Sequence, residues 1–363
     1  MKIVTDNSDE ATDAREAAET AGLTYVTDTS AGITRFPDGD HFGYRDPKGR
    51  VIKNPEIIAR INKLAVPPAY SDVWICPDRN GHLQATGRDA KGRKQYRYHP
   101  QFRELRDTTK YQHMLEFAAA LPEVREKIAT HMAARGLPRD KVLATIVHLL
   151  ETTMIRVGNA DYVKQNKSYG LTTLRNRHVL VDGAELKFRF KGKSGKEWQL
   201  KVQNRRVAKI VKACQDLPGQ HLFQYLDENG ERHDVTSGDV NAYLRELSGR
   251  NITAKDFRTW TGTVLAALAL AEFERFDSQA AAKRNIRAAI EKVAARLGNT
   301  PTICRKCYVH PQILDSYLSE SLVLEADQEV ERELRGDVAA LRPEEALVLA
   351  FLRQRLTAKL AAE

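Results

Sequence analysis

No stretch of this 363-residue chain approaches the roughly 18 consecutive apolar residues of a membrane span. Four cysteines are too few for a disulfide framework, so a reducing, cytoplasmic setting is expected. Met1 to Glu19 is polar and acidic, which argues against a signal or transit peptide. No G-x-x-x-x-G-K-[ST] loop occurs, so nucleotide-driven chemistry is not expected. Nor do carboxylates cluster near the motifs described below in a way that suits Mg²⁺, so neither a metal nor another cofactor is expected.

What the chain has in excess is positive charge, a net +9 with a pI near 9.3. Its distribution says more than its sum. Residues 1–20 hold six acids against two bases; Gly81 to Lys110 holds eight bases against three acids, and Leu186 to Lys212 ten against one. From Glu320 to Glu363 the chain turns acidic again. The basic middle is therefore the electrostatic footprint for a polyanionic partner, and the ends are not.

Residues 1–22 read as disordered or frayed. From Leu23 to about Ile75 the pattern is of short strands broken by Pro37-Asp38-Gly39 and Pro47-Lys48-Gly49, with one helix over Asn54 to Lys63. Val66 to Tyr70, with two prolines, reads as extended. Val73 to Cys76 and His82 to Thr86 read as strands, and Asn80-Gly81 between them is a hairpin signal. A small β-rich domain, 23–106, is expected, followed by a mainly helical one, 107–320, and an acidic helical extension, 321–363. In the helical part, Val124 to Arg135 forms a helix, and apolar spacing at Val142, Ile146, Leu149, Leu150 and Ile155 predicts another over Arg139 to Asn166. Alternation from Val179 to Val202 around Lys191-Gly192-Lys193-Ser194-Gly195 predicts a β-hairpin. Further helices are expected at Arg205–Asp216, Ser237–Ser248, Ala254–Phe273, Gln279–Leu297, Thr302–Tyr308 and Pro311–Leu318. The fold class is thus α+β.

Five residues carry the chemical signal: Arg156, Lys193 on the hairpin tip, Arg258 near a helix start, Asn299 after a helix stop, and Tyr308 nine residues later. In this order they resemble the catalytic set of type IB DNA topoisomerases of the poxvirus and bacterial kind. Tyr162 to Val179, reading YVKQNKSYGLTTLRNRHV, resembles the segment after the family's first catalytic arginine. Gly192-Lys193-Ser194-Gly195 resembles its hairpin turn, and Lys255-Asp256-Phe257-Arg258-Thr259 its second arginine motif. Gln95-Tyr96-Arg97-Tyr98 resembles a DNA-contacting stretch. The likeness covers roughly residues 23–320.

The resemblance implies a β-rich N-terminal domain and a helical catalytic domain of the tyrosine recombinase and type IB kind, closing on DNA as a C-shaped clamp. It implies relaxation of positive and negative supercoils by a monomer, with double-stranded DNA as partner and no nucleotide. Tyr308 would attack a phosphodiester. Arg156, Arg258 and Asn299 would hold the charge that builds on the non-bridging oxygens. Lys193 would protonate the departing 5′-oxygen, with Lys255 a supporting candidate. Tyr70, Arg93, Lys94, Gln95, Tyr96, Arg97, Tyr98 and Tyr162 would contact DNA. Asn299 departs from the histidine that poxvirus and eukaryotic members carry at this spacing. An amide donates a hydrogen bond but carries no proton, so it suits oxyanion binding and not proton transfer.

Each residue has a plainer reading when taken alone. Arg156 could snorkel, Lys193 could be a solvated turn charge, Tyr308 could be core and Asn299 could cap the helix opening at Pro301. Arg258 near a helix start is already uncomfortable, since the helix dipole disfavours a cation there. Cys304-x-x-Cys307 lacks the second ligand pair that zinc needs and reads as packing. Two rival functions share features with the set. A tyrosine recombinase would usually carry histidine where Lys255 stands and would open with a helical domain. A non-catalytic DNA-binding protein would have no need of the complete arginine, lysine, arginine and tyrosine set.

Overall fold

A computed structural model of the chain describes residues 8–273, 276–324 and 341–362. It divides into two compact units, residues 1–112 and 113–363, the first rich in strands and the second mainly helical. No helix among the described residues is long and apolar enough to cross a membrane.

The first unit is built on an antiparallel five-stranded sheet ordered β2-β1-β3-β4-β5. Its strands are β1 (Ile33–Asp38), β2 (His41–Arg45), β3 (Ser71–Ile75), β4 (Leu83–Arg88) and β5 (Lys94–Tyr98). Ile33, Tyr44, Val73, Ile75 and Ala85 pack with Ile61 of α2 (Pro55–Lys63) to form its core. Asn54 caps α2 by accepting from Glu56 N and Ile57 N, and Pro55 opens it with a fixed φ. The Val66 to Tyr70 segment is not extended throughout. It turns at Pro68-Ala69, and Arg35 gathers its carbonyls, donating to Pro67 O (3.1 Å) and Tyr70 O (2.6 Å).

Strands β3 and β4 do pair, but not through a two-residue turn at Asn80-Gly81. The link is a longer loop organised by Asp78, whose carboxylate accepts from Asn80 N (2.8 Å) and whose carbonyl accepts from Gly81 N (3.2 Å). Gly81 is needed for room: a β-carbon there would lie 2.6 Å from Cys76 Sγ.

The expected disorder of residues 1–22 is corrected over its described part. Ser8–Thr20 is a helix, α1, and Ala18 is fully buried against Leu23 and Phe102. Ala14, Ala17, Ala18 and Ala21 recur at helical spacing, a small-residue face that low hydropathy conceals. Residues 1–7 lie outside the described residues.

Helix α3 runs from Pro100 to Met132, far longer than the expected Val124 to Arg135. It passes through Pro122, a breaker by local rule. Leu121 and Val124 beside that proline are each 1% exposed, so burial outweighs the lost hydrogen bond.

The second unit continues with α4 (Arg139–Thr153), α5 (Ala160–Asn166) and a three-stranded sheet of β6 (Val179–Asp182), β7 (Glu185–Lys191) and β8 (Glu197–Gln203). After α6 (Arg205–Gln215) comes a small pair, β9 (Gln224–Leu226) and β10 (Arg232–Asp234), which the sequence pattern did not signal. Helices α7 (Ser237–Ser248), α8 (Ala254–Ala271), α9 (Gln279–Leu297), α10 (Pro301–Tyr308), α11 (Pro311–Leu318) and α12 (Pro343–Ala362) complete it.

Helix α8 is its axis. Phe257, Trp260, Val264 and Ala267 are buried on one face and Gly262, Ala266 and Ala269 on the opposite one, and α4, α7, α9, α10, α11 and α12 pack around the helix. Of the acidic extension, residues 325–340 lie outside the described residues. Beyond them α12 docks on α8 and α11, with Val348, Leu349 and Leu352 fully buried. Glu345 of α12 is held by Arg125 (2.8 Å at each oxygen), which also grips Glu151 of α4 (2.6 Å).

Candidate active site

The expected single helix over Arg139 to Asn166 is two helices, and Arg156 lies in the irregular stretch between them. Thr152 and Thr153 turn their hydroxyls back onto His148 O (2.7 Å) and Leu149 O, and Thr153 Oγ1 then accepts from Ile155 N (3.2 Å). Such local bonds compete with helix continuation. Met154 follows in the left-handed region at φ +60° and Gly158 at φ +104°.

The stretch is pinned by Gly170 to Thr172. Leu171 N donates to Arg156 O (2.9 Å) and Thr172 N to Val157 O (2.7 Å). Gly170 is glycine because a β-carbon would lie 2.5 Å from Arg156 O. The family-like segment Tyr162 to Val179 thus contains the cradle that aims Arg156.

Arg258 sits on the second turn of α8 and is 3% exposed. Its guanidinium donates to two helix-end carbonyls, Met154 O and Leu297 O (2.6 Å). Its Nε is buried with no partner. Burial pushes Arg258 down to about 10, helped by the nearby charge of Arg156 and opposed by Tyr308. Arg156 is likewise held below its ordinary value by burial, and Tyr308 opposes the shift. Among the described residues, no carboxylate offsets either charge. A buried Arg258 beside a half-buried Arg156, with no counter-ion, is costly unless an anion arrives.

Asn299 follows Gly298, which ends α9 at φ +63°. Its backbone N donates to Ala294 O (2.9 Å) and its Oδ1 accepts from Arg156 Nη2. Its Nδ2 is buried with no partner. The capping alternative is excluded, because Thr300 caps α10 by accepting from Ile303 N (3.4 Å). Tyr308 ends α10, its ring centre 5.2 Å from Arg258 Cζ. Arg156, Arg258, Asn299 and Tyr308 are therefore one group. At its heart are two buried N–H donors, Arg258 Nε and Asn299 Nδ2, without acceptors.

Lys193 is exposed in the turn Lys193–Gly195 between β7 and β8, and Lys255 is exposed on the first turn of α8. Two supporting residues escaped the sequence reading. A β-carbon at Gly262 would lie 2.5 Å from Tyr308 O, so glycine lets the end of α10 lie directly on α8. Thr263 Oγ1 donates to Tyr308 O (3.4 Å) and accepts from His310 N (3.1 Å), fixing the chain just past the tyrosine. An isolated glycine inside an apolar helix was the available signal.

Cys304 is fully buried and its thiol is pushed up to about 11 by burial, against the pull of Arg258. Both Cys304 and Cys307 are free thiols. Among the described residues one trio could hold a metal, Asp227, Glu231 and His233 at the β9–β10 turn. Asp227 is already occupied by Asn229 N (2.9 Å), Glu231 N (2.8 Å) and His233 (2.8 Å).

In the first unit, Tyr96 is 46% exposed and stacks on Tyr98 at 6.0 Å. Arg93 pairs with Asp89 (2.7 Å), Lys94 with Asp28 (2.5 Å), and Gln95 donates to Asp89 (3.1 Å). Arg97 donates to Ala65 O (3.3 Å), and half-buried Tyr70 packs on the sheet core. The side chain of Tyr162, on α5, lies outside the described residues.

Residues 99–334 match the family model of the eukaryotic DNA topoisomerase I catalytic core, and residues 41–89 match that of the bacterial DNA topoisomerase IB N-terminal domain. The chain is 32% identical over 293 residues to DNA topoisomerase 1B of Acanthamoeba polyphaga mimivirus, covering 79% of this chain and 87% of that protein. It is 22% identical over 273 residues to DNA topoisomerase 1B of Vaccinia virus (strain Copenhagen), covering 74% and 82%.

Proposed function

The chain belongs to the type IB DNA topoisomerase family, an isomerase family acting on DNA, and we propose that its reaction runs through Tyr308. The Tyr308 hydroxyl gives up its proton to solvent as its oxygen attacks a backbone phosphorus, the bond to the 5′-oxygen breaks, and a 3′-phosphotyrosyl ester forms. Arg156, Arg258 and Asn299 hold the non-bridging oxygens as charge builds on them. Lys193 gives a proton to the departing 5′-oxygen, with Lys255 in support. Attack of the freed 5′-hydroxyl on the ester reverses the step.

The observation that carries this reading is the pair of uncompensated guanidiniums beside Tyr308, Arg258 buried and Arg156 half-buried, with Arg258 Nε and Asn299 Nδ2 still lacking acceptors. A phosphodiester supplies both the missing charge and the missing acceptors. The ester conserves the bond energy, so neither nucleotide nor metal enters the cycle. Swivelling of the free end relaxes supercoils of either sign.

By the same reading residues 23–106 form a DNA-binding domain, with Tyr70, Arg93 to Tyr98 and Tyr162 in contact. Residues 107–320 form a recombinase-like catalytic domain. The protein holds duplex DNA as a C-shaped clamp, and works as a monomer on the nucleoid in the cytoplasm. Plasmid relaxation in EDTA without nucleotide tests the proposal. Both positive and negative supercoils should relax, and Tyr308→Phe should relax neither. A strict need for Mg²⁺ or ATP sinks it.

A further inference from the structure

Gly192 and Gly298 each stand immediately before a residue of the proposed chemistry, Lys193 and Asn299. Both glycines touch one side chain. A β-carbon at Gly192 would lie 2.7 Å from Cδ1 and Nε1 of Trp198, and one at Gly298 would lie 2.6 Å from its Cζ2. These atoms are the pyrrole edge and the benzo edge of a single indole. Gly298 has a second reason to be glycine, its left-handed φ of +63°. Gly192 has none, since φ −95° and ψ −167° suit any residue. Only the closeness of the indole demands glycine there.

The indole itself is anchored. Trp198 lies on β8 directly across from Phe190 of β7, and their rings are parallel at 6.1 Å. Phe190 is 5% exposed. The turn beyond is closed by Gly192 N to Lys196 O (2.8 Å) and Gly195 N to Gly192 O (3.1 Å), so Lys193 follows wherever Gly192 is set. At the other contact Asn299 follows Gly298, and its amide oxygen accepts from Arg156.

We infer that Trp198 is a positioning residue, a rigid spacer that sets the Lys193 turn and the Asn299 loop at one separation across the reacting phosphate. The inference rests on the roles given above to Lys193 and Asn299. An indole suits the task because it is flat, has only two side-chain torsions and can press on backbone at both edges. A lysine that must meet the departing oxygen needs its turn fixed, and its own flexible stem does not fix it.

Single-turnover DNA cleavage is measured for Trp198→Ala, Lys193→Ala, Asn299→Ala and the two double variants that include Trp198→Ala. Misplacing a catalytic group by about 1 Å costs on the order of 10²-fold, so Trp198→Ala should slow cleavage by roughly that factor. If it acts through the two loops, adding it to Lys193→Ala or to Asn299→Ala should cost clearly less than it does alone. Part of its loss should return on a substrate whose 5′-bridging oxygen is sulfur, which departs without a proton. Simple loss of packing would slow both substrates alike. Trp198→Phe keeps a ring over Phe190 and should fall between wild type and alanine; if the alanine variant does not fold, the phenylalanine variant carries the same cycles. A wild-type rate for the Trp198 variant, or losses that multiply in either double variant, overturns the inference. Failure of sulfur to rescue Lys193→Ala would remove the general-acid role of Lys193, and the two cycles would still decide whether Trp198 acts through the loops.

Discussion

The Asn299 amide is engaged at one end only. Its oxygen is taken by Arg156 and its amide N–H is left facing no acceptor. Asn299→Ala should slow cleavage by about 10²–10³-fold, the scale for losing one oxyanion donor. Its melting temperature should hardly move, because Thr300 and not Asn299 caps α10. Asn299→Asp separates the two tasks, since it keeps an acceptor for Arg156 but replaces the donor with a charge that repels phosphate. Single-turnover rates should show the aspartate variant at least as slow as alanine. Near wild-type cleavage by that variant would reduce Asn299 to a prop for Arg156. The identities of these residues were legible because each sits in a short local motif. Their settings were not. The apolar spacing runs on past Met154 and predicts a helix through Arg156; the left-handed turn there and the bonds from Leu171 and Thr172 show otherwise.

Among elements, the segment that cradles Arg156 is itself held by a histidine. His178 is 8% exposed, accepts from Arg175 N (3.0 Å) and meets Tyr169 edge-on at 4.4 Å. Burial lowers it from 6.5 to about 4, with Arg177 and Arg175 pushing the same way. The folded chain therefore keeps His178 neutral where the unfolded chain takes up a proton. Stability should fall as pH drops from about 6.5 towards 4, and the lowered values of His82 and His148 add to the same slope. Melting temperatures across that window should fall less steeply for His178→Gln than for wild type; equal slopes would show that His178 does not contribute. Helices and the main hairpin were readable from their periods and caps. Helix α1 is hidden in the sequence because alanine adds little hydropathy, and α3 outruns its predicted span because Pro122 obeys packing over its local rule. Gly170 and Gly262 answer to backbone from distant parts of the chain, which spacing along one element does not reveal.

For the whole molecule, charge decides how tightly DNA is held. If about six to ten phosphates are contacted, affinity should fall roughly 10³–10⁵-fold between 50 and 200 mM salt. Two of the bases proposed to contact DNA already have acidic partners. Arg93 and Lys94 are paired with Asp89 and Asp28, so each brings its own counter-charge. Arg93→Ala and Lys94→Ala should each lower the salt slope by less than the unit expected for a base freed only of solvent ions, and binding isotherms at several salt concentrations check it. A full unit for each would mean that both pairs open on DNA. The proposed reaction stands on its covalent link. Protein trapped on duplex DNA by rapid denaturation, trimmed with nuclease and sequenced by mass spectrometry should carry nucleotide on Tyr308 through a 3′-phosphate. An adduct on any other residue, or one joined through a 5′-phosphate, would contradict the account.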